Sequence, residues 1–234
     1  MISWVIPCFN EADVIEVTIK RIKEVIAKSN SIYKHEIIFI DDGSTDQTKD
    51  IIKSLASKDS RIKLLVLSRN FGHQAALQAG LNFAYGNAVI IIDADLQDPP
   101  EIANKMIKLW EEGYEVIYGK RESRRSESVF KRISAKFFYK LMRFLSDFDI
   151  PLDTGDFRLI DRRIVNSLKL MPEKSRYIRG LISWTGFRQT YIAYERDERF
   201  AGKTKYSLRK MINLALDGLT SFSKTPLRLA TYFG

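Results

Sequence analysis

Apolar residues along the first half of the chain follow two alternating patterns. Short runs of apolar, β-forming residues predict strands, at positions 3–6, 36–40, 63–67, 88–92 and 115–118. Between these runs, apolar residues recur at every third or fourth position, as at Ile15, Ile19, Ile22 and Ile26, which predicts amphipathic helices. Strands that alternate with helices in this way predict an α/β fold with a mostly parallel sheet and right-handed crossovers.

A cluster of polar residues follows each of the first four predicted strands. The clusters lie at positions 7–11, 41–46, 68–70 and 93–98. The carboxyl ends of parallel strands meet at one edge of the sheet, and open α/β sheets bind their ligands at that edge. We therefore expect the four clusters to gather into one binding site, because four independent solvated turns would not be expected at a single edge.

The fourth cluster is the most acidic. A strand that reads as buried on both faces delivers Asp93, Asp95 and Asp98, and two prolines then turn the chain. In extended backbone Asp93 and Asp95 point to the same side, and converging carboxylates repel each other unless a cation joins them. A divalent ion such as Mg²⁺, shared with substrate phosphates, would satisfy this arrangement. The alternative is a solvated acidic turn.

The second half of the chain carries a basic segment. From position 120 to 143, basic residues are interleaved with apolar and aromatic ones at helical spacing, which predicts a basic amphipathic helix starting near Ser128. This helix is either an ordinary packed helix with a solvated face or a surface that faces phosphate or anionic lipid. Residues 151–160 are compatible with a tight turn. A helix at 161–170, a strand at 187–194 and a helix at 211–222 follow.

Composition restricts the class of partner. The 234 residues carry a formal net charge of +9 with a pI near 9.5, which indicates an anionic partner such as a nucleotide, a nucleic acid or a membrane surface. A nucleic acid is disfavoured, because the carboxylates of the predicted site would repel its phosphate backbone. No apolar run reaches the length of a membrane-spanning helix and no signal peptide is visible, so we expect a soluble, cytosol-facing unit.

Composition also restricts the kind of metal site. The lone Cys8 excludes an intramolecular disulfide and a cysteine-rich zinc site. With only two histidines, His35 and His73, the chain gives little support to a histidine-based metal site. His73 stands at the start of a predicted helix, where we expect a structural or capping role rather than a catalytic one.

Five segments resemble motifs of a known family. Residues 6–11 (IPCFNE), 41–48 (DDGSTDQT) and 93–101 (DADLQDPPE) resemble the motifs of family 2 glycosyltransferases with the GT-A fold. Residues 153–159 (DTGDFRL) and 199–206 (RFAGKTKY) narrow the likeness to the polyprenyl-phosphate glycosyltransferases. Within that group the chain is similar to dolichyl-phosphate mannose synthases and, more closely, to bacterial undecaprenyl-phosphate glucosyltransferases. The resemblance covers essentially the whole chain.

The resemblance implies a metal-dependent enzyme that transfers a hexose, with inversion, from a nucleotide sugar to the phosphate of a polyprenyl lipid. UDP-glucose and undecaprenyl phosphate are the expected substrates. The positions that hold Mg²⁺ or Mn²⁺ and the diphosphate in this family correspond to Asp93, Asp95 and Gln97. The resemblance also implies that Asp95 is a catalytic residue. The implied nucleotide-sugar contacts are Pro7, Phe9, Glu11, Ile40, Asp42, Asp93, Ala94 and Arg121. The implied phosphate and acceptor contacts are Arg132, Arg199 and Lys205.

Asp156 matches the residue proposed as the catalytic base of this family. A phosphate monoester is already ionised near neutral pH, because its second pKa is about 6, so the nucleophile hardly needs a base. Asp156 would then orient the acceptor, take a residual proton or hydrogen-bond the sugar. A turn carboxylate that caps local backbone is the structural alternative.

The resemblance also implies a domain organisation and a location. We expect a Rossmann-like GT-A catalytic domain at 1–205, then an amphipathic interfacial helix and the start of a membrane region at 206–234. The expected partners are a nucleotide sugar, a polyprenyl phosphate and the membrane surface at the cytoplasmic face of the cell membrane, and a homo-oligomer is compatible with this organisation. The alternatives are another donor, such as GDP-mannose or a UDP-aminoarabinose derivative, a non-lipid acceptor, or a nucleotide-binding module without catalysis.

Overall fold

The computed structural model describes residues 1–29, 32–121, 154–173 and 177–195. The chain divides into two compact units. The described residues of the first unit are 1–29, 32–121, 154–171 and 187–195, and they include all the described strands. The described residues of the second unit are 172–173 and 177–186, and they include one short helix. The segments 128–144 and 206–234, for which amphipathic helices are predicted, lie outside the described residues.

The first unit alternates strands and helices as the sequence pattern predicts. Its strands are β1 (Ile2–Cys8), β2 (His35–Asp41), β3 (Ile62–Val66), β4 (Ala88–Ile91), β5 (Val116–Arg121), β6 (Thr154–Asp161) and β7 (Gln189–Tyr194). Its helices are α1 (Ala12–Lys28), α2 (Thr48–Lys58), α3 (His73–Phe83), α4 (Ala103–Glu111), which follows a 3-10 turn at Pro100–Ile102, and α5 (Arg162–Leu170). The helix of the second unit is α6 (Ile178–Trp184).

The seven strands form one mixed sheet in the order β3-β2-β1-β4-β6-β5-β7. The pairs β1–β2, β2–β3, β1–β4 and β5–β7 are parallel, whereas β6 runs antiparallel to both β4 and β5. The prediction of a mostly parallel α/β sheet is therefore confirmed. The strand order reverses between β1 and β4, which places a topological switch point, a usual ligand site in open α/β sheets, at the carboxyl end of β4.

The core lies between the central strands and the helices. All residues of β1, β2 and β4 are buried, and Ile15, Ile19 and Ile22 of α1 complete the same apolar cluster. Helix α3 approaches the sheet closely at Gly80. A Cβ atom there would lie 2.5 Å from Cγ1 of Val5 and 2.6 Å from Cδ1 of Ile40, so only glycine fits without displacing its neighbours.

Two strands differ from what the sequence pattern indicates. The sequence places the end of the first strand at Pro7, yet β1 continues through Cys8. Pro7 is tolerated because the pairing of β1 with β4 ends at Val5, so the missing N–H faces no partner strand on that side. Residues 154–160, which the sequence leaves compatible with a tight turn, belong to β6 (Thr154–Asp161) between β4 and β5. Asp161 ends this strand and caps α5 by accepting a hydrogen bond from the backbone N–H of Arg163.

Candidate active site

The loops after β1 and β2 are joined by hydrogen bonds. The backbone N–H of Asn10 donates to Oγ of Ser44 at 2.9 Å, and the N–H of Thr45 donates to Oδ1 of Asn10 at 2.8 Å. Asn10 has a φ of 54°, a left-handed conformation that asparagine tolerates better than most residues. The N–H of Glu11 donates to Oγ1 of Thr48 at 2.8 Å. The first two polar clusters therefore adjoin at the carboxyl edge of the sheet, as predicted.

Asp42 joins the loop after β2 to the loop after β3. Its carboxylate is 3% exposed and accepts hydrogen bonds from the backbone N–H of Phe71 at 2.8 Å and of Gly72 at 2.9 Å. Gly72 has a φ of 96°, which a side-chain-bearing residue rarely adopts. Each carboxylate oxygen can accept more than one hydrogen bond, so the expected contact between Asp42 and a nucleobase stays a prediction.

His73, Asp93 and Asp156 form a compact group. Nε2 of His73 lies 2.9 Å from Oδ2 of Asp156 and 3.8 Å from Oδ1 of Asp93. The three residues can each offer one ligand atom, and these atoms all lie within 4.8 Å of one another. They come from three elements: the first residue of α3, the chain just after β4, and β6. The topology of the sheet thus brings together residues that are up to 83 positions apart.

The structure narrows the expectations about this group. His73 does begin a helix, but no side-chain hydrogen bond caps α3, so the capping role is wrong, and the imidazole contacts the carboxylates instead. One of the two histidines nevertheless lies in a group that could hold a metal ion. Asp156 is not a turn carboxylate either, since it lies within β6 and is 5% exposed. The sequence signal for His73 was its position three residues after the end of the third polar cluster.

The crowding of acids affects the protonation of Asp93. Burial, together with the negative charges of Asp156, Asp98 and Asp95, raises the pKa of Asp93 to about 6, while His73 acts in the opposite direction. An acid whose charged form is disfavoured in this way gains from a neighbouring cation. The group therefore fits a divalent ion, because carboxylate oxygens suit both Mg²⁺ and Mn²⁺.

Asp95 and Gln97 occupy a turn rather than extended backbone. The chain turns at positions 94–95, Leu96 has a φ of 58°, and the N–H of Gln97 donates to Oδ1 of Asp95 at 3.2 Å. The expectation that Asp93 and Asp95 lie on one side of a strand is therefore wrong, and Asp95 is not a member of the compact group. The carbonyl oxygen of Ala94 accepts a hydrogen bond of 2.9 Å from Thr18 of α1, which fixes this turn.

Asp98 belongs to a second group, with Arg121 and Tyr194. Its side chain is fully buried; it accepts a hydrogen bond from the Tyr194 hydroxyl and another, of 3.1 Å, from Nη2 of Arg121. Sequence reasoning gave no role to Asp98 or Tyr194, because the partners come from β5 and β7, which are distant from Asp98 in the chain. Arg121, an expected nucleotide-sugar contact, lies at the carboxyl end of β5.

The other predicted site residues fall into two classes. Pro7 and Ile40 are partners across β1 and β2 and are buried, Phe9 is half-buried, and Glu11 precedes α1. All of them lie at or next to the carboxyl ends of these strands, as the predicted site requires. Arg132, Arg199 and Lys205 lie outside the described residues.

The sheet and its acidic carboxyl edge define an open α/β protein with a candidate ligand site at the switch point, and the sequence assigns the family. Residues 3–169 match the sequence model of glycosyl transferase family 2, and the chain belongs to that family. No helix in the described part of the chain combines the length and the apolar character that crossing a bilayer requires.

Relatives extend this assignment along the whole chain. The chain is 50% identical over 232 residues to the uncharacterized glycosyltransferase YkcC of Bacillus subtilis (strain 168), covering 99% of this chain and 71% of that protein. It is 44% identical over 233 residues to a prophage bactoprenol glucosyl transferase homolog of Escherichia coli (strain K12), covering 100% of this chain and 76% of that protein.

Solved structures share the fold. Glucosyl-3-phosphoglycerate synthase of Mycobacterium tuberculosis, crystallised with Mn²⁺, UDP-glucose and phosphoglyceric acid, superposes with a TM-score of 0.64 at 21% identity, covering 94% of this chain and 79% of that one. At this identity the likeness shows the GT-A, Rossmann-like fold alone.

Proposed function

We propose that this protein transfers glucose, with inversion, from UDP-glucose to the phosphate of a polyprenyl lipid such as undecaprenyl phosphate. The observation that carries the proposal is the 44% identity, over 233 residues and the full chain, to proteins named for bactoprenol glucosyl transfer. Such identity extends well beyond the residues that the fold alone requires. The acidic carboxyl edge of the sheet supports the proposal, because its carboxylates would hold the cation that stabilises a departing nucleoside diphosphate.

The carboxylates at the switch point would hold a divalent ion, Mg²⁺ or Mn²⁺. Asp93 belongs to the group whose candidate ligand atoms lie within 4.8 Å of one another, and it would bind this ion. Asp95 and Gln97, in the adjoining turn, are further candidate ligands, because the bound diphosphate would bring its own oxygens to the same ion. When bound, the ion supplies positive charge that stabilises the departing nucleoside diphosphate.

The protein's own residues position the two substrates. Pro7, Phe9, Glu11, Ile40 and Asp42 adjoin the carboxyl ends of β1 and β2, and we assign them to the nucleotide. The acceptor phosphate attacks the anomeric carbon of glucose. A bond then forms to the acceptor oxygen, and the bond to the UDP oxygen breaks on the opposite face.

Asp156 orients the acceptor in this scheme. The acceptor oxygen is ionised at neutral pH and needs no strong base, since the second pKa of a phosphate monoester is about 6. The hydrogen bond of 2.9 Å between Asp156 and Nε2 of His73 fixes the carboxylate, with Nε2 as the donor when Asp156 is ionised. His73 is therefore a positioning residue for Asp156.

The proposed lipid acceptor implies a location at the membrane. We assign Arg132, Arg199 and Lys205 to the acceptor phosphate or the diphosphate, residues 1–205 to the catalytic domain, and residues 206–234 to the membrane interface at the cytoplasmic face. A basic residue near an anionic surface contributes about 1 kcal/mol to binding, so the net charge of +9 favours this location.

A donor panel tests the proposal. The protein is incubated with Mn²⁺ or Mg²⁺, undecaprenyl phosphate in detergent, and radiolabelled UDP-glucose, GDP-mannose or a UDP-aminoarabinose derivative, and the lipid is extracted. We expect labelled lipid from UDP-glucose alone. Label from another donor would contradict the choice of sugar, label in a soluble product would contradict the lipid acceptor, and UDP binding without any transfer would support a non-catalytic module.

A further inference from the structure

Asp98 is a buried acid that no step of the proposed reaction uses. Its side chain has no exposed surface, which is unusual for an ionisable group unless the group is paired. It lies just before the two prolines that lead into α4. A buried carboxylate normally reflects a specific partner, because burying it without one would be costly.

The partners of Asp98 close a ring of three hydrogen bonds. The hydroxyl of Tyr194 donates to Oδ1 of Asp98, and Nη2 of Arg121 donates to Oδ2 at 3.1 Å. Nε of Arg121 donates to the hydroxyl oxygen of Tyr194 at 3.3 Å. Arg121 and Tyr194 are also paired across β5 and β7, so the backbone holds both side chains in register. The guanidinium is thereby fixed in position and in orientation.

Two glycines make room for this ring. A Cβ at Gly155 would lie 2.5 Å from Nη2 and 2.9 Å from Cζ of Arg121. A Cβ at Gly119 would lie 2.7 Å from the Tyr194 ring, which packs edge-on against Phe157. The guanidinium of Arg121 and the ring of Tyr194 therefore occupy the space that a side chain at Gly155 or Gly119 would fill. Gly155 directly precedes Asp156 in β6, and the charge of Asp98 contributes to the raised pKa of Asp93, so the ring lies near the acidic group of the site.

The fixed guanidinium keeps the capacity to bind an anion. The ring uses Nε and Nη2, and Nη1 makes no hydrogen bond to any residue within the described ranges. The side chain of Arg121 is 28% exposed, so it reaches solvent on one side. Burial is the largest single effect and disfavours the charged form, but the interactions with Asp98 and Tyr194 together outweigh it and raise the pKa of Arg121. A guanidinium of this kind binds phosphate oxygens through a planar fork of donors.

We propose that Asp98 and Tyr194 are positioning residues that hold Arg121 pre-oriented for a phosphate oxygen of a substrate. The proposal rests on the proposed function for the nature of that substrate, which is either the UDP diphosphate or the phosphate of the acceptor lipid. Both present the same oxyanion chemistry. An arginine fixed before binding loses less conformational entropy when the phosphate arrives, so the ring contributes to substrate affinity rather than to the chemical step.

Equilibrium titrations test this without relying on turnover. Tyr194→Phe removes only the hydroxyl, and Gly155→Ala displaces the guanidinium. Tyr191→Phe removes a hydroxyl from the same strand, from a side chain that is 51% exposed, and is the matched control. Calorimetry measures the Kd of UDP with Mn²⁺ and, separately, the Kd of undecaprenyl phosphate in detergent. Because both titrations measure binding, failure of glucose transfer does not affect their outcome.

We expect Tyr194→Phe and Gly155→Ala to raise one of the two Kd values by up to about tenfold, the factor for immobilising one flexible side chain on binding. The substrate affected identifies the phosphate that Arg121 binds. Tyr191→Phe leaves both Kd values unchanged, and kcat at saturating substrate stays within a few-fold for every variant. A fall in kcat with both Kd values unchanged, or an equal effect in Tyr191→Phe, would overturn the proposal.

A double-mutant cycle tests whether Tyr194 acts through Arg121. Arg121→Gln removes the charge and keeps a donor for the buried Asp98. If Tyr194 acts only by holding the guanidinium, Tyr194→Phe has no further effect on Kd in the Arg121→Gln background. The same tenfold loss in both backgrounds would show that Tyr194 contributes independently of Arg121, and would refute the positioning role.

Discussion

Acidification should destabilise this protein through the protonation of His35, the first residue of β2. The residue is 9% exposed, and its Nδ1 accepts a hydrogen bond of 3.2 Å from Nε1 of the fully buried Trp4. A ring nitrogen that accepts this bond carries no proton, so the folded protein contains the neutral imidazole. Burial, and then the positive charges of the amino terminus and Arg61, lower the pKa of His35 from 6.5 to about 4.

The direction of the pH dependence follows from this shift. Between pH 6.5 and 4 the unfolded chain binds more protons at His35 than the folded chain does, so acid favours unfolding. The stability that neutral His35 contributes is complete above about pH 6.5 and falls by about 1.4 kcal/mol per pH unit below it. Between about pH 7 and pH 4.5, the free energy of unfolding should therefore drop by roughly 2 kcal/mol through this residue alone.

Urea denaturation of the wild type and of His35→Asn at both pH values isolates the effect. The amide oxygen of asparagine can still accept a hydrogen bond from Trp4 but does not titrate. The carboxylates titrate alike in both proteins, so their contribution cancels in the difference. We expect the wild type to lose about 2 kcal/mol more stability than the variant on acidification. An equal loss in the two proteins would refute the argument that His35 is buried in its neutral form.

Two further substitutions test the packing and the helix cap. Gly80→Ala should lower the free energy of unfolding by about 1–3 kcal/mol, because the Cβ of the new alanine would lie 2.5 Å from Cγ1 of Val5. Urea denaturation measures this change. An unchanged midpoint would show that α3 can move away from the sheet without cost. Asp161→Ala should lower the free energy of unfolding by about 1–2 kcal/mol in the same assay, because it removes both the cap of α5 and the acceptor of the 2.8 Å hydrogen bond from Trp110. The control Asp161→Asn keeps an acceptor and should lower it less.

The pattern of apolar residues predicts β1 to β4 and their helices because these elements depend on local features. Each strand is a short apolar run, and each helix carries an apolar face that packs on the sheet. The same reasoning fails for β6. Its sequence contains a glycine and two acids, and its strand conformation depends on the hydrogen bonds that β4 and β5 supply from both sides. Tertiary pairing of this kind leaves no local pattern.

The sequence predicted where the site lies on the sheet, but it did not predict which residues of the site contact each other. The polar clusters at strand ends correctly indicated the carboxyl edge, because the position of that edge follows from topology. The particular pairs did not follow, since His73 meets Asp156 across 83 positions and Asp98 meets Tyr194 across 96. Asp93 and Asp95 were expected side by side in extended backbone, but the chain turns at positions 94–95.

The dependence of UDP binding on a divalent ion tests the central claim most directly. Calorimetry of UDP with the wild type and with Asp93→Asn, each in Mn²⁺ and in EDTA, compares four affinities. We predict that Mn²⁺ tightens binding to the wild type at least tenfold and does so far less for the variant, whose melting temperature stays close to that of the wild type. Equal UDP affinity in Mn²⁺ and in EDTA for the wild type would contradict the claim that this edge of the sheet binds the donor diphosphate through a cation.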